Sequence, residues 1–298
     1  MTVAVVGLGK MGEAIAERIL DGGFPLAVSN RTRERAEPLG ARGATVLDSA
    51  SEALQQADVC VTSLADDSAV EAVLLGEGGV LAGARPGTTL VETSTVSVAC
   101  SERVAEAAAA AGVEYLRAPV SGNPVAVRAG TLTIVVSGPE KVFTELEPLL
   151  RAVAGKVLYV GEGEQARVVK LVFQILIGGT AELLSEALVL GEAAGVERSR
   201  LLEAIGASAA GSPFVAYKSP PLLADDYSAT FTTALMLKDV DLVLDLAVEN
   251  GVELPFARHL RTLLEATAEG GHADEDFMAL YLQLRQSLAG SANRDPTR

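Results

Sequence analysis

A lysine and a glutamine interrupt an apolar stretch in the middle of the chain. Between Val168 and Ile177 every residue is apolar except Lys170 and Gln174. Because these two are four residues apart, they lie one turn apart on the same face of an α-helix. An ammonium in apolar surroundings loses hydration, which lowers the pKa of the lysine and suits it to proton exchange near neutral pH. Taken alone, the pattern also fits a solvated stripe on an ordinary amphipathic helix.

Three glycines near the start of the chain have the spacing of a dinucleotide-binding loop. Gly7, Gly9 and Gly12 follow a Val-rich run and precede an apolar pattern of helical period. Such glycines allow a tight turn and a close approach of the backbone to a pyrophosphate, which binds free N–H groups at the helix start. The alternative is a glycine-rich turn without a ligand. We predict that the whole loop binds a cofactor: Gly7, Leu8, Gly9, Lys10, Met11 and Gly12.

The residues after the second predicted strand, LAVSN, favour NADP over NAD. An NAD-binding protein normally has Asp or Glu here, which takes the ribose 2′-hydroxyl. In this chain Asn30 ends the strand, and Arg31, Thr32 and Arg35 follow it. No carboxylate repels a phosphate, and arginine can bind one through two hydrogen bonds. We therefore predict a 2′-phosphate site, with a solvated basic helix start as the alternative.

Strand and helix patterns alternate as far as Gly161, and only helical patterns follow. This order predicts an α/β fold, with a Rossmann-type, doubly wound, largely parallel sheet followed by an all-helical domain. A long interdomain helix over 164–194 would carry Lys170, and ligands in such folds bind beyond the carboxyl ends of the strands. The predicted domains are 1–162 for NADP and 163–290 for substrate and dimerisation, with a flexible tail at 291–298. Further predictions are a strand over 113–120, helices over 198–208, 231–250, 256–269 and 273–289, and a Pro-rich connection over 211–230.

Composition excludes several classes of partner. The 298 residues carry a formal net charge of −15, which argues against nucleic acids and anionic membranes. The two cysteines have no disulfide-like spacing, and the two histidines, His259 and His272, have no metal-ligand pattern near them in the sequence. No signal peptide or membrane-spanning run is recognisable. We expect a cytoplasmic protein without a bound metal.

Five motifs in order along the chain resemble those of the β-hydroxyacid dehydrogenase family. This family includes 3-hydroxyisobutyrate dehydrogenases, tartronate semialdehyde reductases and glyoxylate/succinic semialdehyde reductases. The resemblance covers almost the whole chain. The motifs are GLGKMG, TSTVS (93–97), APVSGNP (118–124), GEGEQARVVKLVFQ (161–174) and LMLKDVDLVL (235–244).

The resemblance implies roles for individual residues. Lys170 would be the general acid/base, and Gln174 stands where the family usually has Asn. Phe173 replaces a second common Asn, and Asn123 replaces a usual Gly. Residues implied on the substrate side are Thr95, Ser121, Gly122, Asn123, Phe231 and Asp239. Further cofactor contacts would come from Leu64, Ala65, Thr95 and Lys238, with Asp239 orienting Lys238.

The resemblance implies an NADPH-dependent reductase of a small carboxylate-bearing carbonyl compound, or the reverse dehydrogenase. An imine reductase on the same fold and a non-catalytic NADP-binding scaffold protein are the alternatives. The resemblance also implies a homodimer, or a tetramer built from dimers, that shares the long helix. The apolar Val168–Ile177 segment is compatible with burial on all sides.

Overall fold

The computed structural model describes the backbone of residues 1–292 and the side chains up to residue 286. The described chain forms two compact units. The first comprises Met1–Leu171 and the second begins at Val172, so the division falls within one long helix. Of the tail predicted over 291–298, residues 293–298 lie outside the described part, and Ser291 and Ala292 end the last helix.

A single nine-stranded sheet forms the centre of the first unit. Its hydrogen-bonded order is β3-β2-β1-β4-β5-β6-β8, and both β7 and β9 pair with β8. The first six strands run parallel, β8 is antiparallel to β6 and β7, and β9 is parallel to β8. This confirms the predicted doubly wound, largely parallel sheet. The strands are β1 (Val3–Val6), β2 (Leu26–Ser29), β3 (Thr45–Val46), β4 (Val59–Thr62), β5 (Thr89–Glu92), β6 (Glu114–Arg117), β7 (Val120–Ser121), β8 (Thr133–Ser137) and β9 (Lys156–Gly161).

The strand order reverses at β1, which lies between β2 and β4. Val6, the last residue of β1, is in register with Ser29 on one side and Thr62 on the other. The carboxyl ends of these strands therefore meet at one edge, where open parallel sheets bind their ligands. Side chains alternate along β1: Val3 and Val5 enter the apolar core on one face, and Ala4 enters the core on the other.

The strand predicted over 113–120 is interrupted at Ala118 and Pro119. β6 ends at Arg117, and Val120 and Ser121 form the short strand β7, which pairs with β8 in the same antiparallel register as Arg117. Pro119 lies between them and has no N–H to donate to a sheet ladder. Its carbonyl accepts from Val135 instead. The pairing with β8 therefore continues past the interruption to Ser121.

Helices cover both faces of the sheet, and their ends follow local signals. The Ala-rich helix begins as predicted at Ser97, whose hydroxyl accepts from the amide of Cys100, and ends before Gly112, which has a φ of +68°. The helices before the long one are α1 (Lys10–Asp21), α2 (Glu37–Ala41), α3 (Ala53–Gln56), α4 (Asp67–Val70), α5 (Val98–Ala110), α6 (Pro124–Arg128) and α7 (Glu140–Val153).

Helices are the only elements longer than a single β-bridge in the described residues of the second unit. After α8 (Gln165–Ala193), the helices are α9 (Arg198–Ala207), α10 (Pro213–Leu223), α11 (Thr233–Glu249), α12 (Pro255–Thr267) and α13 (Leu280–Ala292).

The Pro-rich connection predicted over 211–230 is wrong, because α10 occupies its first half. Ser212 caps this helix by accepting from the amide of Val215, and proline is tolerated in a first turn. Val215, Lys218 and Leu222 are buried at helical spacing. Packing of this face outweighs the low helix propensity of Pro220 and Pro221.

The helix predicted over 273–289 starts later than expected. Gly271 has a φ of +97°, and Asp276 forms a β-bridge with Thr232 before α13 begins at Leu280. Asp276 is also ion-paired with the buried Lys218, 2.6 Å away. These long-range contacts hold the segment outside a regular helix.

Within the single chain, the long helix α8 is not buried on all sides. One stripe of apolar side chains faces solvent in the described chain. It consists of Val168, Val172, Leu176, Leu183 and Leu190, which are 37 to 73% exposed. By length and composition alone α8 could cross a membrane, but 44% of its most apolar stretch is buried, and core helices of globular proteins satisfy the same criterion.

Candidate functional site

The glycine loop after β1 has the shape of a pyrophosphate cradle. A Cβ on Gly7 would lie 2.4 Å from the carbonyl oxygen of Ser63, and one on Gly12 would lie 1.9 Å from that of Gly7, so both positions require glycine. A Cβ on Gly9 would meet no atom within 4 Å. Gly9 precedes α1, and no side chain caps this helix. The first N–H groups of α1 therefore suit a phosphate.

Asn30 joins the glycine loop to the end of β2. Its side-chain oxygen accepts from the amide of Leu8 at 2.9 Å, and its side-chain nitrogen donates to the carbonyl of Thr32 at 2.9 Å. Leu8 is buried, whereas Lys10 is exposed and Met11 packs on the core at the start of α1. The loop and the predicted 2′-phosphate segment are thus one connected structure.

The three arginines after β2 differ in their surroundings. Arg33 is ion-paired with Asp48 at 2.6 Å. Arg35 reaches back to the glycine loop, with its Nη1 3.5 Å from the carbonyl oxygen of Leu8. Arg31 is exposed and forms no ion pair with any described residue. Arg31 and Arg35, together with exposed Thr32, fit the predicted phosphate site, while Arg33 is already neutralised.

The ends of β4 and β5 are tied together beside this loop. The amide of Leu64 donates to the hydroxyl of Ser94 at 2.8 Å. Leu64 is half-buried and Ala65 is exposed, as expected of residues that would flank a cofactor. Thr95 follows Ser94 and is half-buried. The structure therefore brings the predicted cofactor contacts after β4 next to the segment that carries Thr95.

The predicted substrate loop follows β7. Gly122 has a φ of +137°, and a Cβ there would lie 2.9 Å from Leu132 Cδ1, so glycine is required. Asn123 caps α6: its side-chain oxygen accepts from the amide of Ala126 at 2.9 Å. This cap explains an Asn at a position where the family usually has Gly. The Asn123 side-chain oxygen is thereby engaged with the backbone, leaving backbone N–H groups and the half-buried Ser121 as the groups suited to a carboxylate.

Lys170 lies in the second turn of α8 and is half-buried. Three residues earlier on the same helix, Arg167 is fully buried and ion-paired with Glu92, the last residue of β5. No role was predicted from the sequence for Arg167 or for Glu92. The signal in the sequence was Glu92, a carboxylate that ends a buried strand three residues before Thr95.

In the second unit, Gln174 and Lys238 meet at one carboxylate. The side-chain nitrogen of Gln174 donates to Asp239 Oδ2, and both side chains are buried. Lys238 Nζ lies 2.7 Å from Asp239 Oδ1, the contact that an orienting role of Asp239 would need. Phe231 packs edge-on against Phe277, with ring centroids 6.1 Å apart. Four predicted site residues thus lie on α8, α11 and the segment before α11.

The second unit also contains two features that the sequence did not reveal. Glu182, Glu186 and His259 have side-chain donor atoms within 4.8 Å of one another, although His259 lies on a different helix. Burial, and then the neighbouring Glu186, raises the pKa of Glu182. Elsewhere, a cavity of about 260 Å³ lies beside the ion pair of Lys218 and Asp276, and none of the predicted site residues lines it.

Comparisons with known proteins cover both units. Residues 2–161 match the family model described as the NAD binding domain of 6-phosphogluconate dehydrogenase. Residues 164–284 match the one described as NAD-binding of NADP-dependent 3-hydroxyisobutyrate dehydrogenase. The fold agrees with a solved 3-hydroxyisobutyrate dehydrogenase from Salmonella typhimurium, with a TM-score of 0.87, 28% identity, and coverage of 95% of this chain and 99% of that one.

Two curated relatives match over nearly their whole length. The uncharacterised oxidoreductase YfjR of Bacillus subtilis is 35% identical over 282 residues, which are 94% of this chain and 98% of that protein. The 2-(hydroxymethyl)glutarate dehydrogenase of Eubacterium barkeri is 32% identical over 289 residues, 97% of this chain and 96% of that protein.

Proposed function

Because the chain belongs to the β-hydroxyacid dehydrogenase family and is a NAD(P)-dependent oxidoreductase of that type, we propose that it uses NADPH to reduce a small carboxylate-bearing aldehyde, or catalyses the reverse oxidation of the hydroxy acid. The observation that carries this proposal is the position of Lys170. It lies one turn after Arg167, whose guanidinium is fixed at the carboxyl end of β5, immediately before Thr95. A group able to exchange protons thus adjoins the edge where this sheet type binds dinucleotides.

The nucleotide would bind at the edge of the sheet where the strand order reverses, beside the carboxyl end of β1. The loop at Gly9 and the open start of α1 suit the pyrophosphate, and Leu64 and Ala65 would flank the adenosine. Arg31, Thr32 and Arg35 suit a 2′-phosphate, since no carboxylate follows β2 directly. NADP(H) would supply or accept the hydride.

Lys170 would act as the general acid during reduction. As hydride reaches the carbonyl carbon, the carbonyl oxygen gains negative charge, and the ammonium of Lys170 would transfer its proton to that oxygen. In the oxidation, the neutral amine would take the hydroxyl proton back. Gln174 would hydrogen-bond the substrate, while its amide nitrogen stays oriented by Asp239.

A carboxylate on the substrate would bind the loop of Ser121, Gly122 and Asn123 through a hydroxyl and backbone N–H groups. The name of the Eubacterium barkeri relative, a dehydrogenase of a substituted glutarate, supports a substrate of this kind. With a net charge of −15, the protein surface gives an anionic substrate no long-range attraction, so local donors must hold it.

The test is an NADPH titration followed by turnover measurements with three sets of compounds: semialdehydes that carry a carboxylate, matched alkyl aldehydes, and cyclic imines. Reduction that prefers the carboxylated aldehydes supports the proposal. Preferred reduction of imines would instead favour an imine reductase. Phe173 and Gln174 keep this alternative open because both depart from the family pattern, and Phe173 makes the site less polar. Tight NADPH binding without turnover of any compound would favour a non-catalytic scaffold.

The exposed apolar stripe of α8 supports a homodimer, or a tetramer built from dimers. Large exposed apolar patches typically mark interaction surfaces, and Leu176 and Leu190 are 64% and 73% exposed. Light scattering on the wild type and on Leu176→Glu tests this: the variant should be monomeric. A wild type that is already monomeric would overturn the dimer.

A further inference from the structure

A buried network surrounds Arg167 in the first unit. This side chain is 1% exposed, and Glu92, its ion-pair partner, is fully buried. The guanidinium donates from Nη1 to the carbonyl of Ser94 at 2.7 Å, from Nη2 to the hydroxyl of Tyr115 at 3.0 Å, and from Nε to the hydroxyl of Ser101 at 3.2 Å. Although burial acts to lower the pKa of Arg167, Tyr115 and then Glu92 hold that pKa above its ordinary value.

The two charged groups hold the peptide units around Ser94 from both sides. Glu92 Oε1 accepts from the amide of Ser94 at 2.7 Å, while Arg167 donates to the carbonyl of the same residue at 2.7 Å. Because the peptide bond is planar, fixing this carbonyl also fixes the direction of the N–H of Thr95. The hydroxyl of Ser94 further accepts from the amide of Leu64, which would flank the cofactor.

The same guanidinium fixes the start of α8. Arg167 and Lys170 are three residues apart on this helix, so their positions are rigidly related. One side chain therefore connects three groups proposed for the reaction: the segment with Leu64, the segment with Thr95 and the helix turn with Lys170. A planar guanidinium with five donors can make all these bonds at once, which an ammonium cannot.

We propose that Arg167, with Glu92 as its counter-ion, is a positioning residue that sets Lys170 relative to Thr95 at the carboxyl end of β5. This rests on the proposed function only in taking Lys170 as the proton-transfer group. Apolar residues often replace buried ion pairs without loss of stability. An ion pair here instead orients backbone groups next to the reacting atoms.

The test is a double-mutant cycle of Arg167→Lys and Lys170→Ala. Arg167→Lys should lower kcat by about 10- to 100-fold, because a misplacement near 1 Å can cost a factor of that size, while the KM for NADPH changes little. In the Lys170→Ala background the same change should cause almost no further loss. Glu92→Gln keeps the side-chain shape and should behave in the same way, which gives a second route if Arg167→Lys folds poorly.

Arg198→Lys provides a matched control in the second unit. Arg198 is also largely buried, with ion pairs to Glu192 at 2.7 Å and Asp225 at 2.6 Å, but it contacts none of the proposed site residues. This variant should lose stability and keep its kcat. The positioning role would be overturned if the kcat losses of the two single variants multiply in the double mutant. It would also be overturned if Arg198→Lys lost as much kcat as Arg167→Lys.

Hydrogen exchange separates a failure of this inference from a failure of the proposed function. If the wild type turns over none of the compounds, the proposed function fails, and exchange still decides the positioning role. Arg167→Lys should then speed amide exchange both in the peptide around Thr95 and in the first turns of α8, unlike Arg198→Lys. Unchanged exchange in either segment would contradict the inference.

Discussion

The side-chain amide of Gln174 donates a hydrogen bond to the buried carboxylate of Asp239, on a different helix of the second unit. The same carboxylate is ion-paired with Lys238 at 2.7 Å. A residue proposed to bind substrate and one proposed to bind cofactor therefore share one partner. Gln is one methylene longer than Asn, and this length brings its nitrogen within hydrogen-bond distance of Asp239.

Shortening Gln174 should destabilise the protein. In Gln174→Asn the amide is one methylene shorter, so Asp239 loses a donor, which costs about 1–3 kcal/mol for a buried charged acceptor. The melting temperature should fall by roughly 2–4 °C per kcal/mol for a chain of this size class. Gln174→Glu should destabilise the protein further, and its stability should fall as the pH rises, because two adjacent carboxylates repel each other when both are ionised. Thermal melts from pH 5 to 8 test both variants, and a melting temperature equal to that of the wild type would contradict the contact.

Cofactor choice should depend on Arg31 rather than on Arg33. Arg31→Ala removes an exposed guanidinium that no described carboxylate neutralises, so the Kd for NADPH should rise while that for NADH stays nearly constant. Arg33→Ala serves as the control, because Asp48 already holds that side chain. Fluorescence titration of both cofactors measures the effect. Equal affinity of the wild type for NADPH and NADH would contradict a 2′-phosphate site.

Features whose signals are local in sequence could be predicted. The glycine spacing required only the strand before it and the helix after it, and a Cβ at Gly7 or Gly12 would indeed clash with nearby backbone. The cap at Ser97 was equally local. By contrast, α10 was missed because burial of Val215 and Leu222 outweighs the prolines, and burial depends on partners far along the chain.

The candidate site likewise contains residues with a local sequence signal and residues whose partners are distant in the sequence. Lys170 could be found because a charge within an apolar run is visible in the sequence. Its neighbour Arg167 acts through Glu92, which lies 75 residues away, and no periodicity predicts such a pairing. The grouping of His259 with Glu182 and Glu186 was missed for the same reason. The capping role of Asn123 was visible in principle, since Asn followed by Pro is a common helix start.

The substrate loop should tolerate no side chain at Gly122. Gly122→Ala would place a Cβ 2.9 Å from Leu132 Cδ1 at a φ of +137°, which only glycine adopts readily. The KM for a carboxylated aldehyde should rise, while the already poor turnover of the matching alkyl aldehyde should change little. Gly130→Ala, also at positive φ but with the nearest atom 3.6 Å away, is the control for backbone strain. An equal loss for both aldehydes would argue against carboxylate binding by this loop.

Glu182 should make the protein less stable at high pH. Burial and Glu186 raise its pKa in the folded state, with His259 as an opposing charge. A group whose folded pKa lies above its unfolded value contributes stability at low pH and loses it as the pH rises through the folded pKa. Glu182→Gln should therefore raise the melting temperature more at pH 8 than at pH 5. Glu145→Gln, at an exposed position, should show no such difference between the two pH values. A gain independent of pH would contradict this assignment.

Lys170→Ala should lower kcat by about 10²- to 10⁴-fold, the usual contribution of general acid/base catalysis. NADPH affinity should change little, because the loop at Gly9 and the residues after β2 would carry most of the binding. Lys141→Ala, an exposed lysine on α7, controls for the loss of one positive charge.

Lys170→Arg tests whether Lys170 transfers a proton or only supplies charge. Guanidinium keeps the positive charge but stays protonated at neutral pH, so it cannot cycle a proton. Activity should therefore not return in Lys170→Arg, although the Kd for NADPH and the melting temperature stay close to those of the wild type. Steady-state kinetics, cofactor titration and a melting curve on one preparation decide the point. Recovery of most of kcat in Lys170→Arg would show that Lys170 acts through its charge, and near-normal kcat in Lys170→Ala would remove it from the mechanism.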